Sequence, residues 1–355
     1  MTTMTKPLLV TMGDAAGIGP EIIAKAFTES PADLAGCIVV GDVATLRRAT
    51  ALIASQTGAL ALPVAQIDSL AEASCVPPRC IGVLQKCALP ALVAYGQING
   101  LAGQAAADCI VWAARAVLAG EAKAMVTAPI HKEALAAAGG WAAGFPGHTE
   151  MLQAEAAVFL GKPVSEVPVR MMLANDELKT VLVSIHMSLR QAIEAVTFDN
   201  VLQTLRITHA AVSASLGRPP RIGVAGLNPH AGEGGLFGAE EQAIIAPAMA
   251  VARKEGLDVY GPFAPDTVFM RARNTSAKPG EFDVVVAMYH DQGLIPVKYL
   301  GVADGVNYTL GLPLVRTSPD HGTAFDIAGT GRADCSSLLE AVRQAKLAAG
   351  SADTV

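Results

Sequence analysis

The chain has 355 residues, with 26 Lys+Arg against 32 Asp+Glu for a formal net charge of −6, and is 52% hydrophobic but only 16% charged. Such a composition excludes a disordered chain and calls for one large or two medium domains, of which two is the expectation. The basic residues form no run, so the electrostatic footprint of a nucleic-acid binder is missing and DNA and RNA are excluded as main partners.

In chain order, the N-terminal MTTMTKPLLVTMGD lacks the apolar core of a signal peptide, which makes a cytoplasmic enzyme the expectation. Pro7 to Met12 reads as a strand, the Gly13–Glu21 segment as a glycine turn, and Ile22 to Thr28 as a helix. Gly36 to Val40 is a second strand, followed by a helix carrying Thr45 to Ala49. The mean hydropathy of +0.40 raises the question of a membrane. Spanning takes about 18 or more consecutive apolar residues. The most suspicious stretch, residues 49–64, still contains Ser55, Gln56, Thr57 and Pro63, so no membrane partner is expected. Ala102 to Leu118 is a long Ala-rich helix and Ala124 to Thr127 a strand, an α/β alternation whose buried parallel strands and Ala-faced helices account for the hydropathy. Six cysteines form no CxxC and read as inert thiols.

The middle changes character. Val167 to Ala174, the turn Asn175-Asp176-Glu177 and Lys179 to Ile185 predict an antiparallel hairpin. Strands over Arg221 to Leu227 and Phe282 to Met288, and helices over Glu240 to Lys254 and Ser336 to Ala349, complete the pattern, with the last helix returning to the first domain.

Three of the apolar strands run into a histidine at or near their C-terminal ends: His186, His230 and His290. Ligands of α/β proteins collect at that edge, and imidazole is the commonest protein ligand for first-row metals, so one divalent ion on this trio is the expectation. Each histidine taken alone reads more readily as a packing or capping residue, and spacings of 44 and 60 residues leave their proximity open. The loop Asn228–Gly235 offers backbone N–H groups suited to a phosphate or dinucleotide, but is neither GxGxxG nor a Walker loop. Gly17-Ile18-Gly19-Pro20 fits an anion site or an ordinary strand-to-helix turn. His148 and Thr149 on a glycine-led loop, and Lys298, Asn307 and Arg316 further on, suit a substrate bearing carboxylate and phosphate, or a solvated surface.

Seven segments resemble, in order, the 4-hydroxythreonine-4-phosphate dehydrogenase family: 13–21, Thr127–Lys132, Pro146–Glu150, Leu227–Glu233, Pro265–Phe269, Tyr289–Gly293 and Arg316–Ala324. The resemblance implies a two-domain α/β fold of the isocitrate/isopropylmalate dehydrogenase kind, not a Rossmann fold, with its active site in the interdomain cleft. Expected domains are 1–145 plus 310–355, and 146–309, the second carrying the metal ligands and the dimer interface. The implied activity is NAD-dependent and metal-dependent (Zn, Mg, Mn or Co). It oxidises the C3 alcohol of a 4-phosphorylated four-carbon hydroxy acid of the 4-phosphohydroxy-L-threonine type, and the β-keto acid then decarboxylates.

Carried onto this sequence, the family's metal ligands are His186, His230 and His290, and its substrate contacts are His148, Thr149, Lys298, Asn307 and Arg316. Asp266, Asp291 and Lys298 are the residues expected to orient ligands or carry protons, and Gly232, Glu233, Gly234 and His321 the expected cofactor contacts. A homodimer sharing the site between subunits is implied. Ala15 stands where the family usually has Pro, at an expected cost in turn rigidity. Asp304, where the biosynthetic branch commonly has Arg, and the segments around it resemble the branch acting on D-threonate or D-erythronate 4-phosphate, which yields dihydroxyacetone phosphate and CO2. A cyclic dihydrodiol dicarboxylate is the substrate of a third branch. Rivals from other classes are a non-catalytic sugar-phosphate binding protein and a metal-dependent aldolase or hydrolase.

Overall fold

A computed structural model of the chain describes residues 6–301 and 305–350, so Asp304 lies outside the described residues. The chain divides into two compact units, Met1–Pro168 with Leu312–Ala349, and a second built on Val169–Gly311.

The first unit opens with β1 (Leu8–Thr11), α1 (Gly19–Glu29), β2 (Cys37–Gly41), α2 (Val43–Thr57), β3 (Val64–Ile67) and β4 (Ile81–Gln85). It continues with α3 (Gly100–Leu118), β5 (Ala124–Thr127), α4 (Lys132–Ala138) and α5 (His148–Leu160). The strands pair in parallel in the order β3-β4-β2-β1-β5. β1 is central, with Leu8 level with Cys37 on one side and Ala124 on the other, and all four of its residues are buried. A strand covered on both faces needs an unbroken apolar run, and LLVT supplies it. Local signals set the helix ends. Asp42 accepts a hydrogen bond from Thr45 N to start α2, and Gly58 ends it at φ +68°.

α3 is the one helix among the described residues long and apolar enough to cross a membrane, yet 67% of that window is buried within the protein. The hydropathy therefore belongs to a core helix, although it is concentrated here rather than in the stretch 49–64. Met151 and Leu152 of α5 share a core with Ile110 and Ala114 of α3, and Arg115 pairs with Glu155 at 2.7 Å. That packing draws α5 into the first unit and places the boundary at 168/169 rather than 145/146.

The second unit holds β6 (Arg170–Ala174), β7 (Lys179–Leu182), α6 (Leu189–Glu194), α7 (Phe198–Leu216), β8 (Ile222–Ala225) and α8 (Ala246–Lys254). After these come β9 (Val259–Phe263), α9 (Pro265–Ala272), β10 (Val284–Ala287), α10 (His290–Leu300) and β11 (Val306–Leu310). Its strand order is β11-β6-β7-β10-β8-β9. The expected hairpin is present: β6 and β7 pair antiparallel with Leu173 opposite Thr180. Asn175 shapes its turn by accepting from Glu177 N and Leu178 N. β7, β10, β8 and β9 are parallel neighbours. The helix expected over residues 240–254 begins as a π turn, Glu241–Ile245, ahead of α8.

The chain then returns to the first unit as β12 (Arg316–Pro319), parallel beside β5, and α11 (Ser336–Gly350). Thr317 Oγ1 donates to Ala341 O, fastening α11 against β12.

Candidate active-site residues

Because β7, β10, β8 and β9 run in parallel, their C-terminal ends lie along one edge of the second unit's sheet. His186 follows β7, His290 opens α10 after β10, His230 follows β8, and Asp266 opens α9 after β9. The His186 and His290 rings stand 5.7 Å apart between centroids. Ser184 Oγ donates to Met288 O at 3.0 Å and so ties together the strand ends behind them. A cavity of about 640 Å³ opens here, lined by Ser184, His186, Gln191, Tyr289, His290 and Asp291. His290 Nδ1 lies 2.7 Å from Asp291 Oδ1, a contact that orients the ring and, with Nδ1–H donating to the carboxylate, puts the lone pair on Nε2.

His230 sits differently. Residues His230, Ala231, Gly232, Glu233 and Gly234 form a left-handed turn with φ of 53, 53, 81, 42 and 66°. Such a conformation costs a non-glycine residue about 1–2 kcal/mol, so the surroundings must hold it. The His230 ring packs against Phe237, with centroids 6.1 Å apart. Among the described residues, no three His, Cys, Asp or Glu side chains gather closely enough to hold a metal ion. The strand-end placement is thus as read from the sequence, while convergence of the trio does not occur within one chain. Gln292 links the two loops: Nε2 donates to Gly226 O at 2.8 Å, and Oε1 accepts from Met288 N at 2.7 Å. Lys298 lies on α10 and Asn307 on β11, both half-buried.

The first unit holds the other expected substrate residues. Arg316 is only 7% exposed, and its Nε donates to Thr127 Oγ1 at 3.0 Å. Burial pushes its pKa down to about 10. His148, beginning α5, has Nε2 3.3 Å from Ala128 O. Burial, and then the charge of Arg316, hold it well below the usual 6.5, so it is neutral at pH 7. Thr149 follows in the same first turn. A buried guanidinium beside a neutral imidazole and a helix N-terminus suits an anionic group.

Several residues that no sequence reading assigned a role organise this unit. Asp14 is 1% exposed; its Oδ1 accepts from Ala16 N at 2.8 Å, and desolvation raises its pKa. Arg48 donates to Ala15 O at 3.0 Å, so hydrogen bonds hold the turn where the family usually has Pro. The His131 ring stacks on Phe325 at 4.5 Å. Glu21, 1% exposed, accepts from Gly329 N at 3.0 Å and Ala333 N at 3.1 Å, pinning the segment that carries His321 onto α1. His321 Nδ1 lies 3.0 Å from Gly322 O, while its Nε2 is buried without a hydrogen-bond partner. For Asp14, Glu21 and His131 the signal was the polar residues inside the motifs at 13–21 and 127–132, which carry no spacing rule of their own; Arg48 lies outside both.

The comparisons define the class first. A 4-hydroxythreonine-4-phosphate dehydrogenase of Beijerinckia indica is 52% identical over 95% of this chain and 94% of its own. A D-threonate 4-phosphate dehydrogenase of Salmonella typhimurium is 42% identical over 96% and 98%. The crystal structure of a 4-hydroxythreonine-4-phosphate dehydrogenase from Klebsiella pneumoniae superposes with a TM-score of 0.84 at 42% identity, covering 98% of this chain and 99% of that one. The protein is an α/β dehydrogenase, an oxidoreductase acting on a CH–OH group. The family model described as pyridoxal phosphate biosynthetic protein PdxA matches residues 33–345, and the chain belongs to that family.

Proposed function

We propose that the chain oxidises the C3 alcohol of a 4-phosphorylated four-carbon hydroxy acid of the 4-phosphohydroxy-L-threonine type, with NAD as cofactor, and that the β-keto acid product loses CO2. The observation that carries this reading is the edge of parallel strands ending in His186, His290 and His230, in a chain 52% identical to a relative of that name.

His186, His290 and His230 would hold one divalent ion. The donor set fits, being neutral imidazoles with one ring already oriented by a carboxylate. His321, with its buried unpartnered Nε2, and the exposed backbone of Glu233 and Gly234 beside the buried Gly232 fit a dinucleotide. When bound, the ion supplies Lewis acidity toward the substrate oxygen and NAD supplies the hydride acceptor. Arg316, His148 and Thr149 bind an anionic end of the substrate, and Lys298 and Asn307 bind and orient the remainder. Asp266, Asp291 and Lys298 supply the groups that take the proton from the C3 hydroxyl and return one after CO2 leaves. The reading includes a homodimer with the histidines drawn from both copies. In support, His186 and His290 face one another while His230 packs on Phe237.

D-threonate or D-erythronate 4-phosphate is the second reading, the first of these favoured by relatives named D-threonate 4-phosphate dehydrogenase at 42–43% identity. NADH absorbance on mixing with all three phosphorylated acids, with and without divalent ions, tests both. Turnover of the hydroxythreonine phosphate with the highest kcat/KM supports the first reading, and preference for either aldonate phosphate supports the second. No NADH with any of them overturns both.

A further inference from the structure

We infer that Glu241 is the positioning residue that holds the His230 turn in its left-handed form and thereby sets the affinity of the histidine edge for a divalent cation. The cation half of this rests on the proposed function. Glu241 is 3% exposed, and its carboxylate accepts from the loop it faces. Its Oε1 accepts from Leu227 N and Asn228 N, both at 2.7 Å. Its Oε2 accepts from Asn228 Nδ2 at 3.0 Å, and that same nitrogen reaches Glu240 Oε2 at 2.7 Å.

The turn closes directly over the carboxylate. A Cβ at Gly232 would lie 2.7 Å from Glu241 Oε2, and one at Gly226 would lie 3.0 Å from Oε1. Glu241 also opens the π turn that precedes α8, and such widened turns recur at functional sites. Gln292 secures the strand ends behind both loops, so the backbone up to Gly226 is fixed without Glu241. Beyond it, His230, Ala231 and Glu233 occupy left-handed conformations that an isolated loop would relax. A carboxylate accepting three hydrogen bonds from the approach to that turn holds them there. Removing it frees His230 to move relative to the other two histidines.

Metal-free wild-type protein, Glu241→Ala, Glu241→Gln and Asp283→Asn are to be titrated with Co2+, following the visible absorption band and the dissociation constant, with thermal unfolding alongside. Asp283 binds Arg218 and Arg221 N at the N-terminal end of β10, away from the histidine edge, and serves as the purely structural control. Glu241→Ala is expected to weaken Co2+ binding about 10- to 100-fold and to alter the band, as loss of outer groups does at metal sites. Glu241→Gln, which keeps one acceptor oxygen, is expected to recover part of that loss and stands in if the Ala variant does not fold. Asp283→Asn should lower the melting temperature and leave Co2+ affinity unchanged. A wild-type band that neither Glu241 variant changes overturns the inference alone, as does an equal loss in Asp283→Asn. A wild-type protein that binds no Co2+ overturns the metal reading and the inference with it.

Discussion

The two units hold their candidate site residues in different ways. In the first, Arg316 and Glu21 are almost fully buried and hydrogen-bonded to Thr127 and to backbone, so their geometry is set by the core. In the second, His186 and Asp266 are exposed, and His186 and His230 have positive φ. A buried and satisfied group is preorganised and recognises a fixed shape, whereas an exposed group on a strained turn has its position decided by neighbouring backbone contacts and by what binds it. On the proposed function, the first unit would recognise an anion and the second would gather the metal ligands.

If the second unit gathers a metal, His290→Ala should show the largest effect, a fall in kcat of about 10³-fold or more, since Lewis-acid stabilisation is worth several kcal/mol. Steady-state NADH formation measures it, and near-normal turnover in metal-free buffer would break the contrast. Next comes Arg316→Ala, expected to lower kcat/KM about 100-fold, chiefly through KM for the phosphorylated acid, with metal affinity unchanged. Equal loss in Co2+ binding would show that the units do not divide the work in this way.

Glu21→Ala leaves the N–H groups of Gly329 and Ala333 without their acceptor, at about 1–3 kcal/mol of stability. It should raise KM for NAD about 10-fold with little change in KM for the acid; unchanged cofactor KM would remove His321 from the cofactor site.

The smallest effect concerns pH. His148 has a folded pKa below its unfolded 6.5, so its contribution to stability is present above pH 6.5 and is lost as pH falls below it, where the unfolded chain takes up the proton first. Asp14 has the opposite sign: its raised pKa favours the fold below 3.8, and that contribution is lost as pH rises through the folded value. Denaturant midpoints of wild type and His148→Asn between pH 5 and 7.5 should therefore converge or cross toward acid, with the wild type losing stability below pH 6.5 and the variant showing less pH dependence.

Much of the first unit was legible because its strands and helices carry strong local signals. Ala124–Thr127 is a strand with the bounds the apolar run indicated, and Pro7 to Met12 differs from β1 by a residue at each end. The helix α5 was assigned to the wrong unit because membership depends on Met151 and Leu152 meeting α3, a contact no periodicity encodes. The π turn at Glu241 and the left-handed run from His230 escaped for the same reason: three of those residues are ordinary non-glycine types, which carry no mark of positive φ.

The sequence by itself determined the α/β class, the hairpin of β6 and β7, the family, and the residue types that end the strands. These follow from apolar period, turn chemistry and motif order, all of which act over a few residues. Only the tertiary structure decided that β7, β10 and β8 are parallel neighbours, and so that three histidines 44 and 60 residues apart share one edge. It also decided that the buried Arg316 and the half-buried His148 lie close enough to interact and are tuned by desolvation, and that Glu241 lies inside the His230 turn. Adjacency and burial arise from packing over long separations, where local spacing carries no information.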